Sequence, residues 1–226
     1  MSKDKLKISY TINIITVILV IAASVIMFTG FNLMGIKNPL LVANRIVMMR
    51  YFTVDSNMLV GLASLLFAIE ERKKIKDGRR IIPTGFYIFK FVATVAVSVT
   101  FLTVFLYLGP ASDGGIKSML VNSNLFFHLI IPVLCIFNFT FLERTNKIDK
   151  KYILYGLLPT ILYSLFYLVN ILLHVENSKV STEYDWYWFV QNGLWMAVII
   201  IPVMLIFTYL ISYTLYKLNN NGKNKA

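Results

Sequence analysis

The chain has 226 residues, of which 58% are hydrophobic and 15% are charged, and its mean hydropathy is +0.70. Soluble globular proteins carry about 25% charged residues, so this composition excludes an ordinary soluble domain. A net charge of +11 would suit a nucleic-acid partner, but the basic residues cluster between apolar runs, which argues against one. The single cysteine, Cys135, excludes an internal disulfide.

Six apolar runs follow one another with short breaks, and they approach the roughly 20 residues that a helix needs to cross a bilayer. They cover about Ile8–Met34, Thr53–Ile69, Pro83–Leu108, Val121–Leu142, Tyr152–Leu173 and Gly193–Tyr216. The second run is short unless its helix begins earlier, near Leu40. We therefore predict an all-α protein with a single domain, a bundle of six transmembrane helices in the cell membrane. A disordered tail, Lys217–Ala226, is expected to follow it.

The orientation of the bundle is predicted from the basic residues in the connections. Sixteen Lys and Arg residues lie on the side that holds both termini, and five lie on the other side. Lys90, inside the third run, is the remaining one, and we expect its ammonium group to reach toward the nearer membrane surface. Because Lys and Arg concentrate on the cytoplasmic side of membrane proteins, both termini are predicted to be cytoplasmic. Membrane lipids, and no nucleic acid, are the expected partners.

Two connections on the outer side have distinctive compositions. Gly35–Arg50 mixes apolar and basic residues and predicts a short interfacial helix. The last connection contains the run Tyr184-Asp185-Trp186-Tyr187-Trp188-Phe189. Trp and Tyr are enriched at membrane–water interfaces, so an aromatic belt is one interpretation of this run. A lid over a cavity that faces the lipid is the other.

Polar residues inside the spans are the functional signal of this sequence. The run Tyr51-Phe52-Thr53-Val54-Asp55-Ser56-Asn57 opens the second span, and His128 lies in the fourth. With a rise of about 1.5 Å per residue, Thr53 and Asp55 fall near the depth of His128, in the outer third of the membrane. Thr53, Asn57, Gly61 and Ser64 recur at helical spacing, so a neighbouring helix is expected to approach this face closely. Asp55 points away from Thr53 and would pair with Arg50 or Lys90, or hold a partner helix.

Thr53 and His128 suggest nucleophilic chemistry. A threonine hydroxyl becomes nucleophilic when a base takes its proton, and histidine is the usual base near pH 7. The amides of Asn57 and Asn124 are candidate donors to an oxyanion. The alternative is structural, with Thr53 bonded to its own helix and His128 a buried side chain with one partner. His128 and His174 are too widely separated in depth to share a metal, so we expect no metal and no other cofactor.

Three segments resemble a known family. Tyr51-Phe52-Thr53-Val54-Asp55-Ser56-Asn57, the run from Asn124 through His128 to Pro132, and Asp185-Trp186-Tyr187-Trp188-Phe189 look like motifs of the Pr-six-Pr family of bacterial six-pass membrane proteins. That family is distantly similar to the androgen-induced and androgen-dependent (FAR-17a-like) hydrolases of animals. These enzymes cleave fatty-acid esters of hydroxy fatty acids with one Thr and one His inside the membrane. The resemblance implies that Thr53 is the nucleophile and His128 the base.

Three functions are compatible with these residues. The first is an intramembrane hydrolase of lipid esters, with Asp55, Asn57 and Asn124 positioning the substrate. The second is a transporter or binding protein for lipids or small molecules, with a polar cavity lined by Asp55, Asn57 and His128. Carboxylates inside spans often carry protons or pair with cations, so Asp55 would matter most there. The third is a structural protein without a site, which predicts no cavity near Thr53.

Overall fold

The computed structural model describes residues 3–35, 45–78, 81–144, 147–177 and 179–221. The described part of the chain is almost entirely helical. Six long helices, each apolar enough to cross a membrane, follow the order of the predicted spans. They are α1 Lys3–Thr29, α2 Phe52–Lys76, α3 Thr84–Ala111, α4 Ser123–Leu142, α5 Lys150–Leu173 and α6 Met196–Asn221. The predicted all-α class and the six helices are confirmed.

The ends of the helices differ from the predicted ends for local reasons. Gly30 has a φ of 71°, and the Phe31 N–H donates to the Ile26 carbonyl at 3.1 Å, so a glycine cap stops α1 five residues before the predicted end at Met34. α2 does not begin near Leu40; it begins at Phe52 and gains its length at the other end, where Lys73, Lys74 and Lys76 occupy the last turn. Cations there complement the negative end of the helix dipole.

The centre of the bundle is α3, which contacts α2, α4, α5 and α6, while α1 packs against α2 and α4. Unlike a soluble protein, the fold is apolar on its outer surface as well as in its core. Large apolar side chains such as Val198 (76% exposed) and Leu173 (74%) cover the outside of α5 and α6. Lys90, Glu71 and Glu143 are fully buried. Exposed apolar surface on this scale is what a lipid-facing bundle presents.

Two of the helices widen locally into π-helical turns. In α3 the turn covers Val104–Leu108, and in α4 the turns cover Phe126–Ile130 and Asn138–Leu142. Pro132 follows the first turn of α4, and its missing N–H removes a regular bond to His128, four residues earlier. π-helical turns frequently occur at functional sites. His128 lies in the middle of one.

The connections on the side away from the termini contain the remaining structure. A 3₁₀ helix, Arg45–Arg50, leads into α2, and the rest of the predicted interfacial helix lies outside the described residues. A two-stranded hairpin of β1 Val175–Glu176 and β2 Lys179–Val180 follows α5. At the other end, the tail predicted to be disordered is wrong for residues 217–221, which continue α6 because Asn219 is bonded into the bundle. Residues 222–226 lie outside the described part.

Candidate functional site

Thr53 is the second residue of α2 and lies at the positive end of a 25-residue helix. The side chain is half-buried and lines an apolar cavity of about 70 Å³ between α2, α3, α5 and α6. Within the described residues, the Thr53 hydroxyl has no hydrogen-bond partner, because the bonds made by this residue use its carbonyl. The first part of the structural alternative, in which Thr53 bonds back to its own helix through its hydroxyl, is therefore not observed. Its second part, a buried His128 with one partner, is observed, and the partner is the Met119 carbonyl.

The walls of the cavity are mainly apolar, and several of the side chains that line it end in hydroxyl groups. It has room for several water molecules or a short piece of an acyl chain. The side chains with hydroxyl groups that line it are Thr53, Thr100, Thr103, Thr160, Tyr163, Ser164, Tyr167 and Tyr187. A second, more open groove of about 350 Å³ adjoins the cavity and shares Thr103, Phe189, Ile200 and Met204 with it. The groove runs along the outward faces of α3 and α6, where exposed side chains such as Leu106 lie.

Tyr187 joins the last connection to the start of α2. Its hydroxyl accepts a hydrogen bond from the Phe52 N–H at 2.9 Å and also faces the Thr53 N–H. These are the N–H groups that a helix start leaves without an acceptor. Burial raises the pKa of Tyr187 to about 12, so the hydroxyl keeps its proton at neutral pH and can donate it. Tyr187 therefore presents a hydrogen-bond donor beside Thr53.

The aromatic segment Tyr184–Phe189 folds over the cavity, and Asp185 anchors it. The Asp185 carboxylate is fully buried and accepts hydrogen bonds from the Phe189 N–H (2.9 Å), the Val190 N–H (3.0 Å) and the Tyr167 hydroxyl. Both Tyr187 and Phe189 line the cavity. The lid interpretation describes this placement better than a belt at the membrane surface.

Arg50 and Tyr163 close the site on the outer side. The Arg50 guanidinium lies 5.0 Å from the ring centre of Tyr51 and 5.5 Å from that of Trp186. The Tyr163 hydroxyl donates to the Arg50 carbonyl at 2.6 Å and accepts from the Trp186 indole N–H at 3.0 Å. Cation–π contacts and these bonds together fix the aromatic segment on α5 and on the start of α2.

His128 is buried in α4, and its Nδ1 lies 2.6 Å from the Met119 carbonyl oxygen. That bond assigns the proton to Nδ1 and leaves Nε2 as an acceptor in the neutral ring. His128 is not among the residues that line the cavity, and no hydrogen bond joins it to Thr53 in the described part of the chain. A nucleophile and its base often lie farther apart in an empty site than in a substrate complex. The lack of a bond between Thr53 and His128 therefore does not contradict their predicted roles, which stay predictions.

Asn57 connects the segments that carry Thr53 and His128. Its amide nitrogen donates to the Thr53 carbonyl (2.7 Å) and to the Phe127 carbonyl (3.0 Å). Both N–H groups are thus in use, so an oxyanion would have to displace one of these bonds. Asn124 is buried in α4, and its amide makes no hydrogen bond with the described residues. The N–H groups at the start of α2 are also in use, by the Tyr187 hydroxyl and the Tyr51 carbonyl, so the Tyr187 hydroxyl is the donor proposed for an oxyanion at Thr53.

The predicted pairing of Asp55 with Arg50 or Lys90 and the predicted position of the Lys90 ammonium group are wrong. Asp55 is half-buried, and its carboxylate pairs with neither Arg50 nor Lys90. Lys90 lies beside Ser64, nine residues along α2 from Asp55, which is roughly 13 Å. Lys90 does not reach toward the membrane surface either. It is fully buried, and its ammonium group donates to Asn13 and Ser64, both at 2.6 Å.

The comparisons with known proteins come out empty. No family model, curated protein or solved structure matches the chain. The resemblance to the Pr-six-Pr family therefore stays a prediction. Within the described ranges, no group of three or more His, Cys, Asp or Glu side chains is placed to hold a metal ion.

Sequence reasoning missed two tyrosines that line the cavity together with Thr53. Tyr187 and Tyr163 come from segments more than a hundred residues away from Thr53, and no spacing in the sequence links them to it. One signal in the sequence could have indicated that this segment packs into the bundle: Tyr187 lies in an aromatic run that also contains a carboxylate, Asp185. A buried carboxylate in a connection needs donors, and aromatic hydroxyls and loop N–H groups supply them here.

Proposed function

We propose that the chain is an intramembrane hydrolase of lipid esters in which Thr53 is the nucleophile and His128 the general base. The observation that carries the proposal is the Thr53 hydroxyl, which has no hydrogen bond to the described residues and lines an apolar cavity at a helix start. Hydroxyl groups in apolar surroundings usually find a partner in the protein. One that is kept free, next to further donors, suits reaction with a carbonyl group.

In the proposed reaction, the Thr53 oxygen attacks the ester carbonyl carbon, and its proton passes to Nε2 of His128. The positive charge on His128 is stabilised by the Met119 carbonyl at Nδ1. The oxyanion accepts a hydrogen bond from the Tyr187 hydroxyl, and it could accept one from the Phe52 or Thr53 N–H by displacing the bond that this group makes to Tyr187. The alcohol leaves with the proton from His128, and water then hydrolyses the acyl-threonine with the same histidine as base.

The substrate is proposed to enter sideways from the lipid. The groove between α3 and α6 shares four residues with the cavity and is lined by apolar side chains. An acyl chain in that groove would bring its carboxyl ester to the hydroxyl-lined cavity. Entry through the groove explains why the water-facing end is closed by Arg50, Tyr163 and the aromatic segment.

A second function, binding of an acyl chain without hydrolysis, is favoured by the position of His128. This residue does not line the cavity, and its ring is held by the Met119 carbonyl. Asp55 and Asn57 do not line the cavity either, so the polar cavity of the transporter hypothesis is not the one near Thr53. A protein that only binds lipid would need the cavity and the groove, and no base.

The test is covalent labelling of the purified protein in lipid nanodiscs with an alkyl fluorophosphonate. We expect one adduct, on Thr53, identified by mass spectrometry, and loss of labelling in Thr53→Ala and His128→Ala. Ser164→Ala is the matched control, because Ser164 lines the same cavity on α5, and it should label like the wild type.

Two outcomes separate the alternatives. Unchanged labelling in both Thr53→Ala and His128→Ala removes the hydrolase proposal. Co-purification of fatty acyl lipids with all variants, with no labelling of any of them, establishes the binding function instead. Hydrolysis of a fatty-acid ester of a hydroxy fatty acid, lost in Thr53→Ala, completes the case for the enzyme.

A further inference from the structure

A second polar cluster lies in the opposite half of the bundle, near the end that holds the termini. It is formed by the buried residues Ser9 and Asn13 of α1, Glu71 of α2, Lys90 of α3, Asn138 of α4, and Glu143, which follows α4. Each of these six side chains is fully buried. The cluster takes no part in the proposed reaction.

The cluster is held together by hydrogen bonds that cross four helices. The Asn13 amide nitrogen donates to Glu71 at 2.9 Å and to Glu143 at 2.8 Å. The Asn138 amide nitrogen donates to the same Glu143 oxygen at 2.9 Å. The Lys90 ammonium lies 3.6 Å from that oxygen and 2.6 Å from Asn13 Oδ1. Glu71 and Glu143 therefore meet around a single asparagine, with one lysine beside them.

The charges of the cluster do not balance. One ammonium group faces two carboxylates, so the cluster carries an excess negative charge when both glutamates are ionised. The other titratable or charged groups around it are Tyr87, Cys135 and Arg144. The Tyr87 hydroxyl is shared between the Glu143 carbonyl and Asn219, and the Arg144 guanidinium donates to backbone carbonyls, so neither neutralises a carboxylate. An uncompensated buried charge is too costly to persist.

The unpartnered atoms of the cluster point to what neutralises it. Among the described residues, Glu71 Oε1, Glu143 Oε2 and Asn138 Oδ1 are buried acceptors that make no hydrogen bond. The Ser9 hydroxyl, also buried and without a hydrogen bond, lies beside the Glu71 carboxylate. The unpartnered carboxylate and amide oxygens can only accept, and the Ser9 hydroxyl could supply a donor to Glu71 alone. Glu143 Oε2 and Asn138 Oδ1 therefore still lack a positively charged or donating partner.

We propose that Glu71 and Glu143 form a binding site for one proton, held opposite Lys90 in the interior of the bundle. One carboxylate takes up a proton from water at the end of the bundle that holds the termini and becomes a neutral carboxylic acid. The cluster is then neutral, with one ammonium and one carboxylate, and the new O–H supplies the missing donor. Burial raises the pKa of Glu143 above its ordinary value, in the direction that favours this state.

The test is infrared spectroscopy of the whole protein in nanodiscs, with all glutamates labelled with ¹³C at the carboxyl group. At pH 7 we expect one protonated carboxyl band that shifts with the glutamate label, because an exposed glutamate, with a pKa near 4.3, is fully ionised there. Glu71→Gln and Glu143→Gln should each abolish the band. Lys90→Met should raise it to the intensity of two protonated carboxyls. Glu70→Gln is the matched control, since Glu70 pairs with Lys73 at 2.6 Å, and it should leave the band unchanged.

The wild-type measurement decides the question even if a variant fails to fold. The absence of a glutamate-dependent band in the wild-type protein at pH 7 overturns the proposal. A thermal stability that rises with sodium chloride but not with choline chloride, again without the band, also overturns it and assigns a sodium ion to the cluster. A band that survives both glutamine substitutions overturns it as well.

Discussion

The two polar regions of the bundle both include residues of α2, and they differ in the hydrogen-bonding groups that have no partner. The outer region, around Thr53 and Tyr187, has a Thr53 hydroxyl that makes no hydrogen bond to the described residues and lies next to an apolar cavity. The inner region, around Glu71 and Glu143, has one oxygen of each carboxylate without a hydrogen bond to the described residues, in a packed interior. Thr53 and Glu71 are 18 residues apart on one helix, or about 27 Å. The same helix therefore meets two opposite chemical environments.

This difference separates the two proposals physically. Unused donors beside a cavity suit a ligand that is rich in electrons, such as an ester carbonyl. Unused acceptors beside an excess negative charge suit a cation, and a proton is the smallest one. We expect substitutions in the outer region to change labelling or substrate turnover, and substitutions in the inner region to change stability and protonation.

Lys90→Met should have the largest effect on stability. The substitution removes the cation of the inner region and leaves Glu71 and Glu143 buried against each other. Breaking a buried ion pair on one side costs about 3–5 kcal/mol, and we expect a loss of that size in the free energy of unfolding, measured in mixed detergent micelles. Lys90→Met with Glu143→Gln should recover part of the loss. Equal stability of Lys90→Met and the wild type would contradict the ion-pair assignment.

The sequence predicted the helices of the bundle better than it predicted the contacts inside the two polar regions. Six hydrophobic runs were enough to place six helices. The small-residue spacing on α2 predicted close approach of a neighbouring helix, and the structure shows α1 beside Gly61 and α3 beside Ser64. The partners of Lys90 were not predictable by spacing, because Asn13, Ser64 and Glu143 come from three separate elements. The position of Lys90 was predicted without considering the other polar residues inside spans, such as Asn13 and Asn138, as its partners.

The site around Thr53 was predicted in the same incomplete way. The hydroxyl was chosen from a local pattern, and the structure does place it beside a cavity. Tyr187 was not chosen, because a connection of unknown path can bring any of its residues to a helix start. Contacts between residues 135 positions apart, such as Phe52 and Tyr187, depend on the packing of all the intervening helices.

Asp185→Asn should have the next largest effect, and in the outer region only. The carboxylate accepts two backbone N–H groups and the Tyr167 hydroxyl, and hydrogen bonds to charged groups contribute about 1.5–3 kcal/mol each. The asparagine amide oxygen can still accept some of these hydrogen bonds, so only part of the stabilisation is lost. We expect faster hydrogen–deuterium exchange over residues 184–190 and weaker labelling of Thr53. Exchange at Lys90 and Glu143 should stay at the wild-type rate. A uniform rise in exchange across all helices would mean that the aromatic segment supports the whole bundle.

Gly61→Ala tests the contact between α1 and α2 that lies between the two regions. A Cβ at this position would lie 2.9 Å from Val20 Cγ1 and 3.2 Å from Val20 Cβ, so α1 must move. Overpacking of this kind costs about 1–3 kcal/mol, and we expect a value at the low end because the groove beside Gly61 is open to one side. Gly61→Ala combined with Val20→Ala should recover part of the loss in melting temperature, because the 2.9 Å contact with Cγ1 is removed while the 3.2 Å contact with Cβ remains. If the double variant is no more stable than Gly61→Ala, then the side chain of Val20 does not set this spacing.

Tyr187→Phe should have the smallest effect on stability and a specific effect on chemistry. The ring and its packing remain, and one neutral hydrogen bond to the Phe52 N–H is lost, which costs about 1 kcal/mol. If the hydroxyl stabilises the oxyanion, the rate of fluorophosphonate labelling of Thr53 falls by far more than this loss of stability explains. Removal of one oxyanion donor typically costs about 10²–10³ in rate. Tyr163→Phe is the control, because its hydroxyl is already used by the Arg50 carbonyl and the Trp186 indole. Equal labelling rates for Tyr187→Phe and Tyr163→Phe would assign Tyr187 to the start of α2 as a structural cap and leave the oxyanion to the backbone N–H groups alone.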